Sequence, residues 1–222
     1  MTHSVRLIAV SRPVIDEVPD TPSLLAFCAR VSSTANQLNH ETGGRLLRSL
    51  VKRQEWSPLE MVSLTIEIVT TRDIARQILR HRSFSFQEFS QRYAAVTEPP
   101  ILREARLQDH KDRQNSISDG VPVALADVWA QVQQRAAREA QFAYDWAIEK
   151  GLAKEVARAV LPEGMTSSRL YMAGTLRSWL HYVALRADPK TQKEHRLIAE
   201  DCRALLVGEF PDLVDVIAGD AA

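Results

Sequence analysis

The chain has 222 residues, of which 45% are hydrophobic, enough to bury a substantial core in one large domain or two small ones. Its 28 basic residues balance 28 acidic ones, and this zero net charge argues against a general nucleic-acid coat protein. The two cysteines, Cys28 and Cys202, lack metal-ligand spacing, and no apolar run approaches the length of a membrane span. The N-terminal residues lack the order of a signal peptide, so we expect a cytoplasmic protein without disulfides or a metal site.

The first third of the chain predicts two strands among short helices. Residues 6–10 (RLIAV) form a short apolar run that predicts a strand. Apolar residues at helical spacing predict helices near 21–28 and 46–51. Alternation of apolar and polar residues over 62–68 predicts a strand with one buried face. Thr70-Thr71-Arg72-Asp73 then resembles a capping box, which predicts a helix over 72–81.

The remainder of the chain is mostly helical in pattern. Residues 102–120 are polar and predict an exposed loop or lid whose charges are solvated. A helix is expected over 123–150, with Trp129 and Trp146 in its buried stripe. Shorter helices are expected over residues 154–161, 176–185 and 191–206, and a strand is expected over residues 169–172. A few strands among many helices predict a single α+β domain over residues 1–222, with a twisted sheet flanked by helices.

Residues 80–93 (RHRSFSFQEFSQRY) concentrate more chemistry than any other stretch. Three arginines, one histidine and three serines accompany a single carboxylate, Glu88, and no lysine. Arginine presents a planar fork that binds phosphate or carboxylate through two parallel hydrogen bonds. The predicted helix 72–81 would place Gln77 and Arg80 on one face and the rest of the stretch in a loop. The stretch is typical of a site for a phosphorylated ligand that carries a ring.

Arg80-His81-Arg82, followed after seven residues by Ser90, resembles the signature of the flavin-dependent thymidylate synthases, the ThyX family. Ser85, Glu88, Arg92 and Tyr93 also stand where this family usually has them. Other similar blocks follow in family order: 57–60 (SPLE), 154–162 (KEVARAVLP), and 176–187 (LRSWLHYVALRA) with Gln192 and Glu194.

This resemblance implies reductive methylation of dUMP to dTMP. It implies FAD as redox cofactor, methylenetetrahydrofolate as carbon donor and NADPH as reductant. It also implies a mainly antiparallel, ThyX-like sheet in a homotetramer whose sites are shared between subunits. No cysteine lies in the matched blocks, in keeping with a family that delivers hydride from reduced flavin and needs no thiol nucleophile.

The resemblance also implies residue roles at matched positions. Arg186 would contact the uracil ring and stabilise its ionised form, so we expect it to be the most catalytically sensitive side chain. Ser90 is interpreted as a ligand contact, because no neighbouring base would activate it as a nucleophile. The full nucleotide-side set is Gln77, Arg80, Glu88, Ser90, Arg92, Arg158 and Arg186. The flavin-side set is Ser57, Arg80, His81, Arg82, Glu88, Thr175, Arg177 and His181.

Departures from the family pattern bear on detailed contacts. Gln87 stands where the family often has Asn, and Glu55 where a His is frequent. Thr175 and His181 occupy positions where some members have Asn. Each change alters the hydrogen bonds or charge that a flavin or folate would meet, while leaving the matched arginines in place.

Several alternatives remain open at this stage. The arginine and histidine side chains of 80–82 could cap a helix C-terminus, and Arg158 could pair with Glu155. The protein could instead hydroxymethylate a pyrimidine nucleotide with the same cofactors. In a different class, it could bind single-stranded nucleic acid, with the aromatic residues of 84–93 as stacking platforms.

Overall fold

Strands and helices alternate along residues 3–217, the part of the chain that this computed structural model describes. The strands are β1 (Ser4–Val10), β2 (Ser63–Thr71), β3 (Ser85–Glu88), β4 (Leu107–Gln108), β5 (Ser116–Ile117) and β6 (Ser167–Thr175). The helices are α1 (Thr21–Ala29), α2 (Gly43–Lys52), α3 (Arg72–Ile78), α4 (Val123–Glu149), α5 (Lys154–Ala157), α6 (Leu176–Arg186), α7 (Lys193–Glu209) and α8 (Val214–Ile217). Short 3-10 turns at Ser57–Glu60 and Arg158–Val160 adjoin segments of the predicted site.

A four-stranded antiparallel sheet, in the order β1-β2-β6-β3, forms the centre of the fold. The alternating segment predicted at 62–68 becomes β2, which pairs with β6 from Ser63 opposite Thr175 to Thr71 opposite Ser167. Leu64, Ile66 and Ile68 of β2 are fully or almost fully buried, as the alternation indicates. The predicted fold class, an α+β protein with an antiparallel sheet flanked by helices, is confirmed.

One large apolar core joins the sheet to the surrounding helices. Helices α1, α2, α3, α6 and α7 each contribute fully or almost fully buried side chains, among them Leu25, Leu47, Ile74, Trp179 and Ile198. The indole Nε1–H of Trp179 donates a hydrogen bond of 3.3 Å to the Leu64 carbonyl, so its burial leaves no unpaired donor. This packing fixes α6 and α7, whose ends carry the residues of the candidate site, against the sheet.

Phe84 anchors the arginine-rich stretch to the sheet. The predicted helix over 72–81 ends earlier, at Ile78, and the chain continues through tight turns in which the His81 N–H donates to the Ile78 carbonyl. The ring of Phe84 then lies over Gly174 of β6, where an added Cβ would come within 2.4 Å of the ring. Glycine is therefore required at 174 for this close approach. The stretch predicted as a loop also supplies the edge strand β3.

Helix α4 is 27 residues long and attaches to the rest of the chain through few residues. Tyr144 is buried against Val96, whose backbone N–H donates a hydrogen bond of 3.0 Å to the phenol oxygen. Trp129 and Trp146 were predicted to lie in the core, but they are 40% and 51% exposed, so that prediction is wrong. Within residues 3–217, neither α4 nor any other helix is both long and apolar enough to cross a membrane.

The polar segment 102–120 is held more firmly than its composition indicates. It contains a small antiparallel hairpin, β4 with β5, and most of its side chains are exposed as predicted. Arg103 and Arg106 are exceptions, because they are largely buried and form ion pairs with Glu194 of α7. The expectation that the charges of this segment are all solvated is therefore wrong for these two arginines, which fasten the hairpin to α7.

Candidate active site

Arg186, the last residue of α6, contacts the histidine of the arginine-rich stretch. Its Nε–H donates a hydrogen bond of 2.9 Å to Nε2 of His81. Since guanidinium nitrogens can only donate, His81 carries no proton on Nε2 and is neutral. Burial, and then the positive charge of Arg186, lower the pKa of His81 to about 4. This contact therefore persists at neutral pH and holds the guanidinium group in one plane.

An open cleft of about 510 Å³ adjoins Arg186. It is lined by Gln77, Gln114, Ala184, Leu185, Arg186, Asp188, Lys190, Thr191 and Gln192. Within residues 3–217, the Nη atoms of Arg186 make no hydrogen bond, since only its Nε is engaged, by His81. The cleft thus presents a permanent cation with unused donors beside three side-chain amides, a combination suited to a ligand with carbonyl oxygens.

A chain of hydrogen bonds supports the cleft from behind. The Gln77 Nε2 donates 2.8 Å to Gln192 Oε1, and the Gln192 Nε2 donates 3.0 Å to Glu194 Oε2. On its other side Gln77 Oε1 lies 3.3 Å from Nδ1 of His195, which is fully buried on α7. Burial, followed by the charges of Arg186 and His81, lowers the pKa of His195 to about 3.

His195 was not singled out from the sequence, although a signal was present. It recurs with Ile198, Ala199 and Cys202 at helical spacing, so the periodicity of α7 places this histidine on the buried face. A histidine on an otherwise apolar face requires a polar partner, and Gln77 supplies it.

Ser90 and Arg92 lie beside α5, in a second groove of about 430 Å³. The Arg92 Nε donates 3.0 Å to Glu155 Oε2, and both side chains are more than half exposed. Glu155 therefore pairs with Arg92 rather than with Arg158, the partner considered from the sequence. An exposed pair of this kind contributes about 0–1 kcal/mol, so an anionic ligand could displace the carboxylate from Arg92 at little cost.

Three arginines of the predicted site have no side-chain partner within residues 3–217. Arg80 and Arg82 are exposed, Arg158 is half-buried, and none of their guanidinium groups makes a hydrogen bond or ion pair with described residues. The alternative that the 80–82 side chains cap the end of α3 is thus not what the structure shows. Guanidinium groups without a protein partner favour an anionic ligand.

Glu88, at the end of β3, is held from the opposite side. Its Oε1 accepts a hydrogen bond of 2.8 Å from the Ser168 hydroxyl and lies 3.6 Å from the buried Arg72 guanidinium. The structure therefore groups Glu88 with Arg72 and Ser168. Its second oxygen, Oε2, accepts no hydrogen bond within residues 3–217 and is available to a ligand.

Four of the residues expected on the flavin side, Ser57, Thr175, Arg177 and His181, lie on or beside α6 and the turn at Ser57–Glu60. The rings of Trp56 and His181 are 4.5 Å apart between centroids and tilted by 52°. Arg177 Nη1 lies 2.5 Å from Glu60 Oε1, and Ser57 is exposed at the start of the turn. Thr175 caps α6 by accepting a 3.3 Å hydrogen bond from the Ser178 N–H, which gives it a structural task in addition to any ligand contact.

Comparison with known proteins extends over nearly the whole chain. Residues 13–212 match the family described as thymidylate synthase complementing protein. A probable flavin-dependent thymidylate synthase of Paramecium bursaria Chlorella virus 1 is 44% identical over 214 residues, covering 96% of this chain and 98% of that protein. A flavin-dependent thymidylate synthase of Synechocystis is 47% identical over 210 residues, covering 93% and 95%.

A likeness to solved structures concerns the fold. The UMP/dUMP methylase PolB from Streptomyces cacaoi, bound with 5-Br dUMP, superposes with a TM-score of 0.81 at 24% sequence identity. The superposition covers 97% of this chain and 94% of that chain. The same methylase bound with 5-Br UMP gives a TM-score of 0.80.

Proposed function

The chain belongs to the thymidylate synthase complementing protein family, the flavin-dependent thymidylate synthases, and from this premise we propose that it methylates dUMP to dTMP with FAD as its flavin. We propose methylenetetrahydrofolate as the carbon donor and NADPH as the reductant. The observation that carries the proposal is the contact between Arg186 and His81, which joins the two most diagnostic family blocks beside one open cleft.

The residues present fit an FAD molecule. Its pyrophosphate needs cationic forks, and Arg80 and Arg82 offer guanidinium groups without partners in residues 3–217. Its flat ring system needs apolar and aromatic surface, which the packed rings of Trp56 and His181 provide. Ser57, Thr175, Arg177 and Glu88 are the further candidates to hold it. When bound, FAD supplies the redox chemistry that adds a hydride equivalent to the transferred carbon.

Arg186 has the central task in the proposed reaction. Its Nη donors, directed by the Nε bond to His81, would contact the uracil carbonyls and N3. A cation fixed there lowers the pKa of the uracil N3–H and stabilises negative charge that develops on the ring. His81 remains neutral at working pH, so it keeps accepting from Arg186 and does not compete with it electrostatically.

The dUMP phosphate requires a separate group of donors. We propose Arg92 and Arg158 as its cationic partners and the Ser90 hydroxyl as a further donor. Gln77, Arg80 and Glu88 complete the nucleotide-side set. Binding of phosphate would replace the exposed bond between Arg92 and Glu155 in the groove beside α5.

We propose that the enzyme works as a homotetramer with shared sites. In a single chain the Arg186 cleft and the Ser90–Arg92 groove are lined by different residues, and a second subunit would bring one of each together. Helix α4 leaves Val128, Trp129 and Val132 exposed on one stripe, as a face between subunits would be. We further propose one domain over residues 1–222 and a cytoplasmic location, in keeping with the unpaired thiols of Cys28 and Cys202.

The test is a product analysis on the purified protein. With FAD, NADPH, methylenetetrahydrofolate and dUMP present, we expect dTMP, identified by the mass of the nucleotide product. Omission of methylenetetrahydrofolate should abolish product, and omission of NADPH should stop turnover once bound reduced flavin is consumed.

The same analysis separates the alternatives. A hydroxymethylated nucleotide would replace the proposal with the related alkylation. A protein that takes up no FAD but binds oligonucleotides with a steep salt dependence would contradict it altogether and support a nucleic-acid-binding module.

A further inference from the structure

The amide of Gln77 has only one orientation that satisfies its neighbours. Glu194 is ionised and can only accept, because Arg106 Nη2 and Arg103 Nη1 lie 2.7 and 3.3 Å from its oxygens. Burial raises the pKa of Glu194, but the hydrogen bond from Gln192 and the charges of both arginines outweigh that effect and lower it.

The direction of every bond further along follows from this fixed acceptor. Gln192 must turn its amide nitrogen toward Glu194, so its Oε1 faces Gln77. Gln77 must then donate to Gln192, so its own Oε1 faces His195. His195 must in turn donate from Nδ1, which leaves its Nε2 without a proton. The amide polarities and the tautomer are therefore set by chemistry rather than by the placement of indistinguishable atoms.

Burial of the His195 side chain lowers the stability of the fold, and packing alone does not account for a histidine at this position. Its ring is fully buried beside Tyr182, and its Nε2 has no hydrogen-bond partner among the described residues. An unpaired buried acceptor is destabilising, and a leucine at this position of α7 would avoid that cost. Among the described residues, the one hydrogen bond that the His195 ring does make is to Gln77.

We propose that His195 is a positioning residue of the nucleotide site. Its Nδ1–H holds the Gln77 amide in one orientation beside Arg186. The inference rests on the proposed function, because Gln77 and Arg186 line the cleft assigned to dUMP. With the Nδ1–H in place, the Gln77 amide is held at its oxygen as well as at its nitrogen, so the donor and acceptor that it offers to the nucleotide are set before binding. Preorganisation of this kind acts on affinity more than on the chemical step.

The test compares two substitutions that both remove the ring. His195→Asn keeps an N–H donor near the position of Nδ1, whereas His195→Leu keeps similar bulk without a donor. In the Leu variant the Gln77 amide loses the hydrogen bond that fixes it, so dUMP binding should weaken about 10-fold, the effect of one hydrogen bond. The kcat at saturating dUMP should change by less than about 3-fold. The Asn variant should remain within about 3-fold of wild type in both quantities, because the donor is retained.

Equal dUMP affinity in the two variants, measured by calorimetry on the FAD-loaded protein, would overturn the proposal, since a packing role would affect both alike. A wild-type protein that makes no dTMP would instead refute the proposed function. Neutron diffraction of the wild-type holoenzyme tests the tautomer without any variant. Deuterium on Nδ1 of His195 supports the inference, and deuterium on Nε2 alone contradicts it.

Discussion

Two regions of the candidate site differ in how far the protein satisfies its own polar groups. Around Arg186, the side chains of His81, Gln77 and His195 are engaged by neighbours in the same chain. By contrast, Arg80, Arg82 and Arg158, which come from two separate segments of the chain, have guanidinium groups without partners in residues 3–217. The first region holds its geometry before a ligand arrives, whereas the second presents charge that a ligand must neutralise.

This difference assigns different tasks to the two regions. An oriented cation in a supported site stabilises charge that develops during a reaction, because its position costs no reorganisation at that moment. An exposed cation with a mobile side chain contributes mainly to capture of an anion. Substitution of Arg186, the cation of the supported region, should therefore reduce the rate of chemistry, and substitutions in the open region should reduce affinity.

The largest effect is expected from Arg186→Ala. Loss of one charge-stabilising group in an active site lowers kcat by about 100- to 1,000-fold, while FAD binding and the fold should be retained. Arg186→Lys serves as the matched variant, since it keeps the charge but neither the planar fork nor the Nε bond to His81. Turnover at saturating dUMP gives the effect, and full activity of the alanine variant would refute the role given to Arg186.

A smaller loss, in affinity, is expected from Arg158→Ala. A charge-assisted bond to phosphate is worth about 1.5–3 kcal/mol, so the dissociation constant of dUMP should rise about 10- to 100-fold with kcat near wild type. Arg45→Ala is the control, because Arg45 is an exposed arginine on α2, outside the matched family blocks. Unchanged dUMP binding in Arg158→Ala would remove this residue from the site.

Ser90→Ala tests the neutral donor of the open region. Removal of one uncharged hydrogen bond should weaken dUMP binding about 2- to 10-fold without abolishing the reaction. The measurement is a dUMP titration together with kcat. Complete inactivation with unchanged affinity would reopen the interpretation of Ser90 as a nucleophile.

The supported region should also make the free energy of unfolding depend on pH. His195 has its pKa lowered from 6.5 to about 3, so the unfolded chain takes up a proton below pH 6.5 that the native state refuses. Stability is thus complete above pH 6.5 and declines as the pH falls, by about 2 kcal/mol at pH 5 for this group. Arg186, His81 and Tyr182 face it from the neighbouring elements, and His81 adds to the decline in the same direction.

His195→Asn isolates the contribution of that histidine. The fall in the thermal unfolding midpoint between pH 7 and pH 5 should be smaller in this variant than in wild type, since asparagine does not titrate. An equal fall in both proteins would show that His195 is not kept neutral by the fold.

Local patterns predicted the regular elements well because those patterns cause them. The alternation of apolar and polar residues over 62–68 predicted β2. Helical spacing and the glycine at 151 predicted α4 and its end, where Gly151 adopts a left-handed φ of 75°. The strand β3 was missed, because it is a short edge segment that pairs with β6 through tertiary register rather than its own propensity. The predicted capping box at Thr70–Asp73 is absent, since the Thr71 hydroxyl bonds to Asp73 and Arg103 instead of the helix backbone.

The candidate site residues were proposed from motifs in which residues follow one another in sequence. The resemblance located Arg80, His81 and Arg186, but only the fold reveals that the last two are in contact. The pairing of Arg103 and Arg106 with Glu194 could not be read from a polar segment, since long-range ion pairs leave no local pattern. Trp129 was placed in the core because an apolar stripe looks the same in sequence whether or not the rest of the chain covers it.

The most direct test of these assignments is the rate of dTMP formation in a single turnover of FAD-loaded enzyme at saturating dUMP, compared between Arg186→Ala and Arg158→Ala. Saturation removes differences in affinity, so the rate reports the chemical step alone. We expect Arg186→Ala to be slower than wild type by about 100-fold or more and Arg158→Ala to remain near wild type. The reverse order would contradict the division between a supported catalytic region and an open binding region.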